Sequence, residues 1–536
     1  MSEAVAGLGM TTAGTGVAAG WRPVAAAALG SLFEWYDFYI YLLLAPVLAG
    51  QFFPLGSETA ALLAVFATYL SGLLTRPLGA LLFGPLADRH GRRAAFLFSL
   101  LVSGLATLLL GLLPGFASIG WAAPMLLLLL RALQGISLGG GQGAAIAYVA
   151  EQAPQAQRGQ ATGWLQAAGS LGLLLALLVL TISRAAFTPV EFAELGWRLP
   201  FLGGVLLLGL FAITRLRMNE SGVFQRLQAE GRNADAPLRE SLFRYPNSRL
   251  VLLVLLGATA GPAVVWYAGH IYALNFLTET LKLDTGIAYG LVGAALLLAA
   301  PGYVLFGWLS DRIGRLRIIM AGCLLAAVGY FPLFNALSHA AHPALADFQR
   351  RIPIAIAADC GTAFPMLAGP ERNACDQARD FLLRAGLSFH SQPALPGHAF
   401  TLRVGARELH SFDPPRLLAV MRDSGYPVTA DPAQVNYPFS LLWLTLLALL
   451  GAMVLAPLAA FLAEAFPARL RVSSLSLPLQ LGFGGFGSLL LLLAPAMVTA
   501  SGNVFMGLWY PIAIAVMSLV VGSLFLRDKL DRDLHA

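Results

Sequence analysis

Twelve stretches of about twenty apolar residues recur along this chain. They lie near 24–48, 60–83, 94–113, 121–149, 160–182, 198–214, 250–277, 287–309, 318–337, 438–463, 473–498 and 504–526. Each is long enough to cross roughly 30 Å of hydrocarbon as a helix, and in lipid only helices and closed barrels satisfy their own backbone. The chain is 58% hydrophobic and 12% charged over 536 residues, too little charge for the surface of a soluble protein of this length. An all-α polytopic membrane protein follows. Residues 1–20 are small and weakly polar and read as a tail rather than a cleaved signal.

The net charge of +6 does not point to nucleic acid, because the basic residues follow the spans. Arg89, Arg92 and Arg93, then Arg158, the stretch Arg215 to Arg249, Arg312, Arg315 and Arg317, Arg469 and Arg471, and Arg527 and Arg532 occupy alternate loops. The intervening short loops hold few. Such alternation orients a membrane protein with its basic loops in the cytoplasm, so both termini are expected there, in the cell inner membrane.

Two motifs occur twice. GPLADRHGRR at 84–93 returns as GWLSDRIGRL at 307–316, an interval of 223; AEQAPQAQR at 150–158 returns as AEAFPARLR at 463–471, an interval of 313. Repetition at fixed spacing indicates duplicated architecture, here two six-helix halves. The 90-residue difference between the intervals places an insertion at 339–437, the one long polar segment of the second half. The expected plan is a tail (1–20), a first half (21–215), a linker (216–249), a second half in two parts (250–338 and 438–527) around the insertion, and a tail (528–536). Within the insertion, RIPIAIAAD reads as a strand, NACDQARDFLLRAG and DPPRLLAVMRDSGYP as helices, and FTLRVGARELH as a hairpin: a small α+β cap on the extracytoplasmic side. Cys360 and Cys375 fall in it, and a bridge between them on an oxidising side would contribute about 3 kcal/mol.

The loop after the second span resembles the signature of the major facilitator superfamily. GSLFEWYDFYIY in the first span, RALQGISLGG at 131–140 and AEAFP-x-x-x-R at 463–471 resemble its metabolite:proton symporter branch. The resemblance covers about 24–526 apart from the insertion. It implies a twelve-helix carrier, working by alternating access, that takes up organic acids or zwitterionic osmolytes with protons, as a monomer and without cofactor or metal. It also implies that Asp88, Arg92, Arg93, Glu151 and Arg158, with Asp311, Arg315, Glu464 and Arg471, form a conformational latch on the cytoplasmic side.

Charges inside spans are expensive and usually functional. Glu34 and Asp37 share a helix face with Tyr41. Two carboxylates so close disfavour double ionisation, and one that takes a proton on one side and gives it up on the other would couple transport to protons. The alternative is permanent pairing with a buried arginine. Arg76, near the inner end of the second span, and Arg131, aligned with Gln134 and Gln142 in the fourth, suit a substrate carboxylate or Glu34/Asp37. The fourth span reads Gly139-Gly140-Gly141 where the branch often has GGE, so an acidic position is missing. His270, with Trp266 one turn before it, is a further candidate proton carrier; Asn275 and Gln480 are further candidates for substrate contact or for interhelical hydrogen bonds. A small carboxylate-bearing metabolite is the expected substrate, a betaine or proline-like osmolyte the alternative. A membrane receptor sensing through the cap is the rival from another class. No nucleophile or metal motif supports an enzyme.

A reporter inserted near Arg232 or fused after Ala536 is expected in the cytoplasm, and one near Gly397 outside. A cytoplasmic Gly397 reporter would contradict both the span order and the repeat.

Overall fold

The computed structural model describes residues 21–54, 58–205, 209, 220–232, 234–358, 373–394 and 399–528. Among them, ten helices are long and apolar enough to cross a membrane, and a bent pair makes an eleventh. Span 1 is Trp21–Leu43 with Ala45–Phe52; span 2 is Glu58–Leu74 with Arg76–His90. Spans 3, 4 and 5 are Arg92–Leu112, Ala122–Gln152 and Arg158–Ala186. Span 6 is described as helix over 198–205 and at 209, and the rest of the expected stretch to 214 lies outside the described residues. Spans 7 to 12 are Asn247–Thr280, Thr285–Ile313, Arg315–Ala341, Tyr437–Ala465, Ala468–Ser501 and Met506–Phe525.

The helices are apolar outward and polar inward. On span 3, Leu101, Leu105, Leu109 and Leu112 are exposed along one stripe, while Ser99, Ser103 and Thr107 are buried along another. With lipid as the solvent, the hydroxyls find partners only inside: Thr107 donates to the Ser103 carbonyl at 2.9 Å.

Several of the described spans are interrupted, and three show the local reason. Span 1 bends by 64° beyond Leu43, where Pro46 begins the next helix without an N–H to offer the turn before it. Span 2 breaks at Thr75, ahead of Pro77, which cannot bond the Leu73 carbonyl. A Cβ on Gly484 of span 11 would stand 2.7 Å from that freed oxygen, so glycine there lets the two halves touch. Span 7 contains three π-helical turns, Leu255–Thr259, Ala268–Tyr272 and Phe276–Thr280, a feature concentrated at functional sites.

The insertion forms a cap at the end of the bundle opposite the repeated motif loops. Strands β1 (Ile354–Ala358), β2 (His390–Gln392), β3 (Phe400–Val404) and β4 (Arg407–Leu409) make one sheet in the order β2-β1-β3-β4. β1 runs parallel to β2 through the helix Ala374–Arg384, and antiparallel to β3. The helix Pro343–Arg351 and strand β2 are additions to the expected elements. Cys375 is disulfide-bonded; its expected partner Cys360 lies outside the described residues.

The cap rests on the second half. Arg379 donates to the Thr499 carbonyl at 2.6 Å and to that of Ala500, closing the end of span 11. The Phe389 N–H reaches the Gly502 carbonyl at 2.8 Å, and His342 Nδ1 reaches the Leu281 carbonyl at 2.7 Å beyond span 7. Burial holds the His342 imidazole below the usual histidine range, opposed by that carbonyl. A cavity of about 710 Å³ lies between cap and bundle, lined by Phe276, His339, Arg350, Phe389, His390 and Asn503 among others.

Gly386 sits at φ +73°, and a Cβ there would collide with the Thr280 carbonyl. Gly386→Ala is expected to destabilise the docked cap by about 1–3 kcal/mol, read as a lower melting temperature of the purified protein. An unchanged melting temperature would contradict this docking.

Candidate functional site

Span 1 directs its two carboxylates at different places on span 4. Asp37 Oδ2 accepts from Gln134 Nε2 at 2.6 Å, and Gln134 Oε1 accepts from Arg131 Nη1 at 2.8 Å. Gln134 Nε2 also donates to Thr107 Oγ1 at 3.0 Å. The Arg131 guanidinium lies 4.1 Å from the centre of the Tyr41 ring, and the Tyr41 hydroxyl is hydrogen-bonded to Thr68. Arg131 is therefore tied to Asp37 through an amide that spans the gap between them, within the first half.

Glu34, also buried, meets span 4 two turns further along, at Gly141. A Cβ on Gly141 would stand 2.9 Å from Glu34 Oε1 and 2.5 Å from Ser99 Oγ. The missing acidic position is thus the space the Glu34 carboxylate occupies, and a glutamate at 141 would meet it both sterically and electrostatically. The contact points are seven residues apart on span 4, roughly 10 Å, so the expected face-sharing pair is divided between two environments.

Arg76 occupies a different position from the one expected. The helix continues through Gly84 and Asp88 to His90, which places Arg76 at mid-span rather than near the inner end. It is fully buried, and none of its three guanidinium nitrogens has a hydrogen-bond partner among the described residues. Its charge lies 4.2 Å from the Phe38 ring centre and 5.3 Å from that of Trp35. The hydroxyls of Tyr39, Tyr69 and Tyr267 lie near enough to feel this charge, that of Tyr267 as a direct neighbour of the guanidinium, and those of Tyr39 and Tyr69 lack a hydrogen-bond partner among the described residues. A buried guanidinium can only donate, and the phenol oxygens beside it are neutral acceptors that leave its charge uncompensated.

The other expected residues divide. Trp266 lies 5.5 Å from Trp35 between ring centres and donates its Nε1–H to Tyr303 at 3.0 Å. Gln480 donates to Gln142 at 3.0 Å across the halves. His270 is buried one turn from Trp266 and bonded to Ser170 at 2.8 Å. Asn275 is exposed on span 7 and stands outside the central group: its helix is π-wound on both sides, which carries it off the face of Trp266.

At the motif end the two halves close on each other twice, by the same device. Asp88 accepts from the N–H groups of Val472 and Ser473 at 3.2 and 2.9 Å, and Asp311 from those of Gly159 and Gln160 at 2.8 and 2.9 Å. Each carboxylate thereby caps the positive N-terminus of a span in the other half. Arg471 pairs with Glu151 at 2.6 Å and Arg158 with Glu464 at 2.9 Å; Arg92 and Arg315 flank the same glutamates at 3.5 and 3.2 Å. Arg93 joins through its backbone N–H, which donates to Glu220 at 3.1 Å. Glu220 just after span 6 and Asp528 just after span 12 cap spans 3 and 9, through Arg92 and Leu316, at 3.1 and 2.8 Å. The acid following the last helix of each half was the sequence signal for these two. Ser221 adds a hydrogen bond to Glu151. Among the described residues no three His, Cys, Asp or Glu side chains gather as a metal site.

Two halves locked at one end around an unfilled buried charge define a membrane carrier, not an enzyme. The family model of the Major Facilitator Superfamily matches residues 27–345, and the chain belongs to that superfamily. Among curated relatives, the shikimate transporter of Escherichia coli (strain K12) is 36% identical over 321 residues, 58% of this chain and 72% of that one. The alpha-ketoglutarate permease of the same organism is 33% identical, over 60% and 72%. A putative proline/betaine transporter of Staphylococcus aureus (strain COL) is 31% identical, over 56% and 64%. In fold, the chain is similar to the proton:xylose symporter XylE, with a TM-score of 0.64 at 17% identity over 96% of this chain and 97% of that one.

Glu151→Gln leaves the charge of Arg471 uncompensated and Arg92 with Asp88 alone, and is expected to weaken closure at the motif end by about 3–5 kcal/mol. Ser476, buried behind the latch, reports it as Ser476→Cys: its maleimide labelling should accelerate at least about tenfold in the Glu151→Gln background. Equal rates would contradict a latch.

Proposed function

We propose that this chain is a secondary carrier for a small monocarboxylate, taken up with protons by alternating access, with its motif end in the cytoplasm of the inner membrane. The observation that carries the reading is Arg76: a full positive charge at mid-span, held by aromatic faces and without a counter-ion among the described residues. Leaving such a charge unmatched is expensive, and a substrate carboxylate is what matches it.

The charge count narrows the class. Arg131 is already engaged with Gln134 and, through it, with Asp37. One available cation suits one carboxylate, as on shikimate, whose hydroxyls would also meet Tyr39, Tyr69 and Tyr267. A dicarboxylate such as alpha-ketoglutarate would call on Arg131 as well, whose Nε and Nη2 are unbonded but whose charge is already shared with Asp37 through Gln134. A betaine would need bare aromatic faces for its ammonium, and Arg76 lies over Trp35 and Phe38 while Arg131 lies over Tyr41. Reconstituted protein is therefore expected to exchange labelled shikimate in counterflow, with alpha-ketoglutarate and betaine competing poorly. Arg76→Gln should reduce exchange about 10- to 100-fold, the worth of a charge-assisted hydrogen bond, and Arg76→Lys should restore little because it lacks the planar fork. Undiminished exchange in Arg76→Gln would remove the reading's basis. A chain that exchanges none of the three would favour the receptor.

Proton coupling is assigned to Glu34 or Asp37. Glu34→Gln or Asp37→Asn mimics the protonated side chain, and in the second variant the new amide oxygen can still accept from Gln134. Counterflow should persist while accumulation driven by a pH gradient fails. If both variants still accumulate substrate, coupling lies elsewhere and His270 is next.

A further inference from the structure

Two seams join the halves, span 2 with span 11 and span 5 with span 8. At the motif end they are equivalent, latch for latch. One step deeper the flanking contacts still correspond: Gln480 of span 11 donates to Gln142 of span 4 at 3.0 Å, and Gln166 of span 5 donates to the Leu455 carbonyl of span 10 at 3.2 Å. Gln142 and Leu455 stand 313 positions apart, the interval of the second repeated motif.

At mid-depth the equivalence ends. On the span 5–span 8 seam, Ser170 Oγ lies 2.8 Å from His270 Nε2 and 2.7 Å from the Tyr303 hydroxyl. His270 Nδ1 is 2.9 Å from the Trp266 carbonyl, which can only accept, so Nδ1 carries the hydrogen and Nε2 accepts from Ser170. Ser170 then accepts from Tyr303, which accepts from Trp266 Nε1. Every donor and acceptor in this chain is matched with a neutral imidazole, and Ser170 is its sole member from the first half. The positions that the repeat intervals assign to Ser170 and Tyr303 on the other seam are Phe483 and Ala80, which offer no side-chain hydrogen bond. Both seams are close-packed here, as Gly484 against Leu73 shows on the other side, so the difference between them lies in the hydrogen bonds and not in the packing. A Cβ on Gly163 would stand 2.6 Å from the Tyr303 carbonyl, and one on Gly293, further toward the cap end, 3.3 Å from Leu174.

We propose that Ser170 and Tyr303 are positioning residues that make the span 5–span 8 seam the axle on which the halves rock, so that the path to Arg76 opens on the span 2–span 11 side. A matched buried chain resists separation because parting it strands several polar groups at once. Two apolar side chains lose only contact area. The proposal rests on the carrier reading, but its test needs no substrate.

Spin labels at His90 and Arg469 report the motif end of the span 2–span 11 seam, and labels at Ala156 and Arg312 that of the span 5–span 8 seam; all four positions are exposed. Distances would be measured by double electron–electron resonance on the full-length protein in nanodiscs, in the unlatched background Glu151→Gln/Glu464→Gln. The expected result is that the 90–469 distance lengthens at least about twice as much as the 156–312 distance. Adding Ser170→Ala, or separately Tyr303→Phe, should bring the two lengthenings toward equality. Equal lengthening with the chain intact, an asymmetry that survives both substitutions, or no lengthening at either pair would overturn the axle. Failure to exchange a carboxylate, with the asymmetry present, would instead count against the substrate reading alone.

Discussion

The closure of one end by carboxylates on helix N-termini is the interaction from which the rest of the arrangement follows. Asp88 and Asp311 each satisfy two backbone N–H groups of the opposite half that have no partner within their own helix. Each sits buried beside an arginine, and the Glu151 and Glu464 pairs enclose it. Removing one member strands several charges, so the network holds or fails as a unit. Because it is duplicated, it draws both seams together and excludes water from the motif end. That closure leaves Arg76 buried at mid-depth.

The central residues then fall into two classes. Polar groups matched within the protein hold its shape: Arg131 with Gln134 and Asp37, Gln480 with Gln142, and His270 with Ser170. Arg76 and the hydroxyls of Tyr39 and Tyr69 have no such partner among the described residues, and Arg131 keeps Nε and Nη2 unbonded; these are the groups available to a ligand. In lipid this distinction is sharper than in water, since an idle buried donor has no solvent to return to. The cap takes part in neither class. It is fastened to the ends of spans 7 and 11 of the second half.

Spans and duplication were legible in the sequence because each depends on spacing alone, and the latch residues because the resemblance to the superfamily marks them. Span length follows from bilayer thickness, and the intervals 223 and 313 place equivalent residues at equivalent depths. The central site was legible as a list of residues but not as a set of partnerships. The apparent loss of an acid at Gly141 could not be read as room for Glu34, because the two are 107 positions apart. The depth of Arg76 was misjudged since the motif after it continues the helix to His90. Asn275 looked central until the π-helical turns around it shifted its face. Ser170 and Tyr303 gave no signal, being ordinary residues in ordinary spans until the fold brings them together.

The most direct test of the central claim is a cryo-EM structure of the carrier determined in the presence of shikimate, the carboxylate proposed for it. The account predicts ligand density with its carboxylate about 3 Å from the Arg76 guanidinium, and with the Arg131–Gln134–Asp37 chain unbroken. A map showing Arg76 paired with Glu34 or Asp37 and the ligand held elsewhere would contradict it.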